Sequence, residues 1–182
     1  MLLPFRRLLA PALILLLASL AIAAELPLLP ERPVIPKLPS LVRKAGYIFS
    51  GTVKSVERIA PKTPTSVPVM RITFQVERGF FGVRSGRELV VHESVGLWQS
   101  GESYRPGERV LLFLYPPSKL GLTSPVGGLS GRFSVDPGGR IIIDPRTNGG
   151  PLHRSPGAGV PKKILLSPDD FARILREARG EL

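Results

Sequence analysis

The stretch "AGYIFSGTVKSVERI", Ala45 to Ile59, decides the fold through its irregularity. Tyr47, Phe49, Gly51 and Val53 share one face of an extended chain, yet the next large apolar residue, Val56, falls on the other. A glycine also stands in mid-strand, where it weakens pairing unless the backbone bends or is closely approached. One device explains both features: a long strand bent near Gly51, with a bulge at Lys54-Ser55. A bulge inserts one residue and reverses which side chains point inward. Phe49, Val53 and Val56 then all face the core, and the strand curls its sheet toward closure.

The chain that follows is patterned as strands. In "VMRITFQVERGF" (69–80), Met70, Ile72, Phe74 and Val76 alternate with Arg71, Thr73, Gln75 and Glu77, so one face is buried and one is wet. "RELVVHESVGLW" (87–98) reads as its partner, joined through a turn at Arg84-Ser85-Gly86. "ERVLLFLYPP" (108–117) is apolar on both faces and stops at Pro116-Pro117. "GRFSV" and "RIIID" flank Asp136-Pro137-Gly138-Gly139, a hairpin signal. Short strands without interleaved helices predict a mainly β fold, a closed or partly open OB-like barrel of five to six strands, over 41–146.

A C-terminal α-helix is predicted over 167–179. Ser167 is its N-cap, Pro168 its first residue, and Asp169 and Asp170 stand in its positive first turn. Phe171, Ile174, Leu175 and Ala178 form an apolar stripe that must bury against something. Covering the sheet and holding a partner are its two readings. Residues 147–166 read as an irregular linker. Ahead of the first strand, Ser40 is the expected cap of a single helical turn, Leu41 to Ala45, ending at Gly46.

Residues 1–24 have the form of a secretory signal peptide: Arg6-Arg7, a short apolar run from Leu8, then small residues at Ala21-Ile22-Ala23-Ala24. The run is short for a membrane span, which needs about 20 apolar residues, so no stable span is expected after cleavage. A secreted or periplasmic location follows. Residues 25–40 carry prolines at 27, 30, 33, 36 and 39, the three-residue period of a polyproline II spacer.

No cysteine is present, so the fold holds without disulfides and no thiolate is available as nucleophile or metal ligand. The 182-residue chain has a formal charge of +11; loss of Arg6 and Arg7 with the leader leaves 23 basic against 14 acidic residues, or +9. Such a surplus attracts polyanions. Acidic polysaccharide and anionic lipid surfaces fit an exported domain, whereas nucleic acid does not. The basic residues are scattered, which equally suits a solvated surface with no specific partner.

Catalytic and cofactor motifs are missing. His92 and His153 are the two histidines and show no H-E-x-x-H spacing, and no Walker, dinucleotide or G-x-S-x-G sequence occurs. Neither a metal nor a cofactor is expected, and a hydrolase built on His92 is the least supported of three readings. The candidate binding surface is Trp98, Tyr104 and Arg105, residue types enriched at binding hot spots; core packing is the competing reading for Trp98 and Tyr104.

Taken in order, "LVRKAGYIFSGTVKSVE", "ITFQVERGFFGV" and "YRPGERVLLFL" resemble the netrin-like domain of the tissue inhibitors of metalloproteinases and related bacterial proteins. The matching pieces are Ala45 to Val53, Val76 to Gly82 and Tyr104 to Leu111, within Leu41 to Tyr115. The resemblance implies a five-stranded OB-type barrel and binding or inhibition of an extracellular metalloprotease. In the eukaryotic inhibitors an N-terminal cysteine places its amino group and carbonyl on the protease zinc. This chain lacks cysteine and begins, after its leader, with a proline-rich spacer. That mechanism is therefore not implied here. The leading expectation is an exported, non-catalytic domain that binds a protein outside the cytoplasm.

Overall fold

The computed structural model describes residues 35, 37–61, 67–99, 103–148 and 162–180. The leader, most of the proline-rich spacer, His153 and much of the 147–166 linker lie outside the described residues. From Val34 onward the chain is one unit. Its elements are α1 (Leu38–Lys44), β1 (Tyr47–Ile59), β2 (Val69–Phe81), β3 (Glu88–Ser94), α2 (Val95–Gln99), β4 (Arg109–Leu114), β5 (Arg132–Val135), β6 (Ile141–Ile143), α3 (Pro145–Asn148), β7 (Ile164–Leu166) and α4 (Pro168–Arg179). A short 3-10 turn, Gly128–Gly131, precedes β5.

The irregularity of β1 has the predicted form. Val53 pairs with Phe74 and Ser55 with Thr73, so Lys54 is an extra residue. Val53 and Val56 therefore join Phe49 in one apolar cluster, on the same side of the sheet. Two compensating irregularities lie on β2, where Glu77 and Phe80 are passed over between the partners of Gly51 and Ser50, and of Phe49 and Ile48. β4 runs beside β1 only from Tyr47 to Thr52. Beyond it β1 bends away with β2, and the turn before β4 holds the departure point: Val53 N donates to Glu108 O at 2.9 Å, and Gly107 N to Val53 O at 2.8 Å.

All pairings are antiparallel, and the sheet runs β3-β2-β1-β4-β5-β6-β7. The expected barrel of five to six strands is thus corrected to a seven-stranded sheet that does not close. The reason lies at its two ends. β5, β6 and β7 extend the same sheet past β4 and pack Phe133, Ile141, Ile143 and Leu166 with Phe171 and Leu175 of α4 instead of pairing with β3. The β3 edge is met by the loop of residues 118–130, where Thr123 N donates to His92 O at 2.8 Å, while Pro125 of the same loop bridges Leu114 of β4.

β4 is buried on both faces, and all of Val110, Leu111, Leu112, Phe113 and Leu114 are fully inaccessible. Leu111 and Phe113 face the helices with Ile48, while Val110, Leu112 and Leu114 face the β1–β3 side with Phe49 and Phe74. Phe171 of α4 anchors the helical layer, packing its ring against Phe80, Phe113 and Phe133. Ser167 accepts from Asp170 N as the predicted N-cap, and Gly180 closes the helix in the left-handed region at φ 70°. The helix covers the sheet.

Three local expectations change. α1 starts at Leu38 with Lys37 as its N-cap, not at Ser40, because Pro39 falls in the first turn, where a residue has no intrahelical acceptor for its N–H and a proline is tolerated. Val95–Gln99 is a helical turn where the strand was expected to continue. Ile164–Leu166, within the expected linker, is strand β7; three residues carry no period long enough to read.

Candidate functional site

The turn α2 folds the chain back so that Trp98 and Tyr104 meet, with ring centroids 5.8 Å apart. Between them is Glu93 of β3, 1% exposed. Trp98 Nε1–H donates to Glu93 Oε2 at 3.2 Å, and Tyr104 O–H donates to Glu93 Oε1 at 3.3 Å. A buried carboxylate is tolerated only when donors replace its lost water. Tyr104 is itself buried and sets its ring edge-on to Phe74, at 5.5 Å and 90°. Trp98 and Tyr104 are therefore brought together as part of the β1–β3 core cluster.

Arg105 stands apart. It is exposed, and its backbone N–H donates to Glu108 Oε2 at 3.1 Å. The arginine over Tyr104 is Arg132 of β5, its Cζ 4.3 Å from the ring centroid. Arg132 also donates to Ser103 O at 2.9 Å and to Glu108 Oε1 at 2.7 Å. Sequence reasoning passed over both Glu93 and Arg132. For Glu93 the signal existed, since it shares parity with the inward-facing Val91; Arg132 reaches the cluster only through the β4–β5 pairing.

On the opposite face of β3, His92 belongs to a groove of about 370 Å³, lined also by Ile59, Pro61, Val67, Val69, Leu120 and Leu122. The register places Ile59 opposite Val69, and Arg71 opposite both Glu57 and His92. The loop residues Leu120 and Leu122 form the other wall. Three of these apolar side chains are well exposed: Ile59 at 36%, Val67 at 50% and Leu120 at 76%. Clustered exposure of this kind marks surface that gains by being covered. Among the described residues no group of three or more His, Asp or Glu is arranged to hold a metal ion, and no helix is long and apolar enough to cross a membrane.

One ionic strap crosses the sheet at Arg109. Glu77, passed over in the β1 pairing, accepts from Arg109 Nε at 3.2 Å and from Thr52 Oγ1 at 2.6 Å. Arg109 Nη1 continues to Asp136 O and Pro137 O at 3.1 and 2.8 Å, tying β2 and β4 to the β5–β6 hairpin. Partial burial raises the Glu77 carboxyl, but hydrogen bonds from Arg109 and Thr52 outweigh it and hold the group below its usual range. Asp144, bound by the side chain and backbone N–H of Arg146, is lowered to about 2.

Comparison of the chain with family models, with curated proteins and with solved structures gives no match.

Proposed function

We propose that this protein works outside the cytoplasm as a non-catalytic binding domain that seats an apolar segment of a partner protein in the groove beside His92. The carrying observation is the convergence of Ile59, Val67 and Leu120, all exposed, around one concavity on the open face of β1–β3. Rigid strands supply its floor and a loop supplies its wall, a division suited to recognition. Export rests on the form of residues 1–24. A metalloprotease is the partner to test first, on the resemblance of Leu41 to Tyr115 to the netrin-like inhibitors.

Immobilised protein is exposed to envelope and culture-fluid extracts of the producing cells, beside Leu120→Asp and Val67→Asp. A partner held by the wild type and released by both variants supports the groove. No enriched partner in any fraction, or one that all three proteins hold equally, overturns it. A captured protease is then assayed with and without the domain.

A further inference from the structure

β4 runs beside β1 only as far as Thr52, and beyond Val53 that side of β1 has no neighbouring strand among the described residues. Which backbone groups face the gap follows from the bulge. Val53 sends both its N–H and its carbonyl toward the turn before β4. Strict alternation sends Ser55 the same way, but Lys54 is the extra residue, so Ser55 and Glu57 face Thr73 and Arg71 of β2. Val56 and Arg58 therefore point their N–H and C=O groups out of the sheet. The same alternation, carried across β2, sends His92 out of the far edge, where its carbonyl does accept from Thr123 N. Among the described residues, none bonds Val56 or Arg58 on the open side.

An open ladder of this kind is a template for another extended chain. The other two edges offer less. β3 is met at His92 by the loop of residues 118–130, and β7 is three residues long. Along the gap in β1 the side chains are accessible: Lys54, Glu57, Arg58 and Ile59 are exposed, and Val56 is partly buried.

Charge selects the occupant. Glu57 stands opposite Arg71, whereas Lys54 and Arg58 form no ion pair among the described residues. A second copy pairing antiparallel on this edge about Val56 brings Lys54 toward Arg58 of its mate. Pairing about Glu57 sets that carboxylate against its own copy. Like charges opposed across strands repel, so the edge rejects itself. A strand of another protein with an acidic residue against Arg58 meets neither penalty. The next residue of that strand falls beside Ile59, 36% exposed, and gains by being apolar. We infer that the free edge of β1 takes up an extended segment of another protein as an added strand, reading an acidic residue at Arg58 and an adjacent apolar one at Ile59. The edge binds through backbone groups and stands independently of the groove, although Ile59 borders both.

The test pans displayed random peptides on the purified protein, then follows the selected peptides, made synthetically, by calorimetry and amide hydrogen exchange. Selected sequences are expected to carry Asp or Glu beside an apolar residue, and to slow exchange of the Val56 and Arg58 N–H groups. Arg58→Pro removes one of those donors without breaking a bond of the fold, a change that edge strands tolerate. It is expected to weaken binding by about tenfold, the scale of one or two backbone hydrogen bonds. Arg58→Glu keeps the N–H and is expected to select Lys or Arg in place of the acid, so the result does not hang on the folding of the proline variant. Leu120→Asp, in the groove, leaves the affinity unchanged. Failure to select any peptide overturns the assignment, as does unchanged exchange at Val56 and Arg58 in the complex. Peptides lost in Leu120→Asp but held equally by both Arg58 variants overturn it too, while supporting the groove. Self-association in sedimentation that Arg58→Pro abolishes makes a second copy the occupant and overturns the choice of partner.

Discussion

Gly51 on β1 and the Gln75 carbonyl on β2 approach so closely that a Cβ added to Gly51 would overlap that oxygen. The contact comes at the point where β2 passes over Glu77 and β4 is about to leave β1. A glycine weakens a regular strand, yet at this bend a side chain has no space.

Gly51→Ala is therefore expected to destabilise the protein by about 1–3 kcal/mol, the usual range for forcing atoms into a packed site. Urea unfolding measures it. Gly96→Ala is the control, because the nearest atom to its new Cβ is Ser94 Oγ at 3.6 Å, ordinary contact. It should be neutral or slightly stabilising, since alanine is the better helix former.

Glu93 separates packing from hydrogen bonding. Glu93→Ala leaves the Trp98 and Tyr104 donors without their shared acceptor in a buried site. A loss of about 1–3 kcal/mol is expected for such unsatisfied groups, with a further cost for the cavity. Glu93→Gln retains one acceptor oxygen and loses less. Trp98 is the only tryptophan, so its emission reports directly: a red shift is expected in Glu93→Ala as water reaches the indole.

Phe171 is fully buried among Phe80, Phe113 and Phe133. Phe171→Ala should cost about 3–5 kcal/mol, the range for large aromatic truncations in a core. Hydrogen exchange should show α4 and β7 losing protection, because that ring joins the helix to the sheet. Unchanged protection in both would mean that the helix is held by its other contacts.

Acid stability should follow the carboxylates. Glu77 and Asp144 both have folded values below their ordinary ones, 4.5 and 3.8, with Asp144 at about 2. A group whose value is lowered by folding stabilises the native state above its unfolded value, and that stabilisation is lost as pH falls through the folded value. Unfolding midpoints should be level above about pH 5 and fall toward pH 2. In Arg109→Ala the Glu77 share of the acid slope shrinks, because only Thr52 still donates to that carboxyl, while the Asp144 share stays.

Much of the fold is legible from residue spacing because it depends on near neighbours. The β1 bulge is visible as the parity break between Val53 and Val56, the β2 edge of the core as strict alternation, and α4 as Ser167-Pro168 followed by an i, i+3, i+4 stripe. The two apolar faces of β4 are also readable, since an unbroken apolar run has no wet side. Sheet closure is not readable in this way. Whether β3 meets another strand depends on where β5 to β7 travel, and strands of three residues hold no periodic signal.

The candidate surfaces divide along the same line. Trp98 and Tyr104 are conspicuous by type, but type does not distinguish a hot spot from a core pair, and Glu93 draws them inward. The groove at His92 joins β1, β2, β3 and a distant loop, and the free edge of β1 depends on where β4 departs. By itself the sequence determined the bent first strand, the mainly β character, the capped terminal helix and the positive charge, because local sterics, period and composition decide these. Tertiary structure alone decided that the sheet stays open and which strand edges are free. Those outcomes depend on the register and packing of segments far apart in the chain, and no local spacing encodes them.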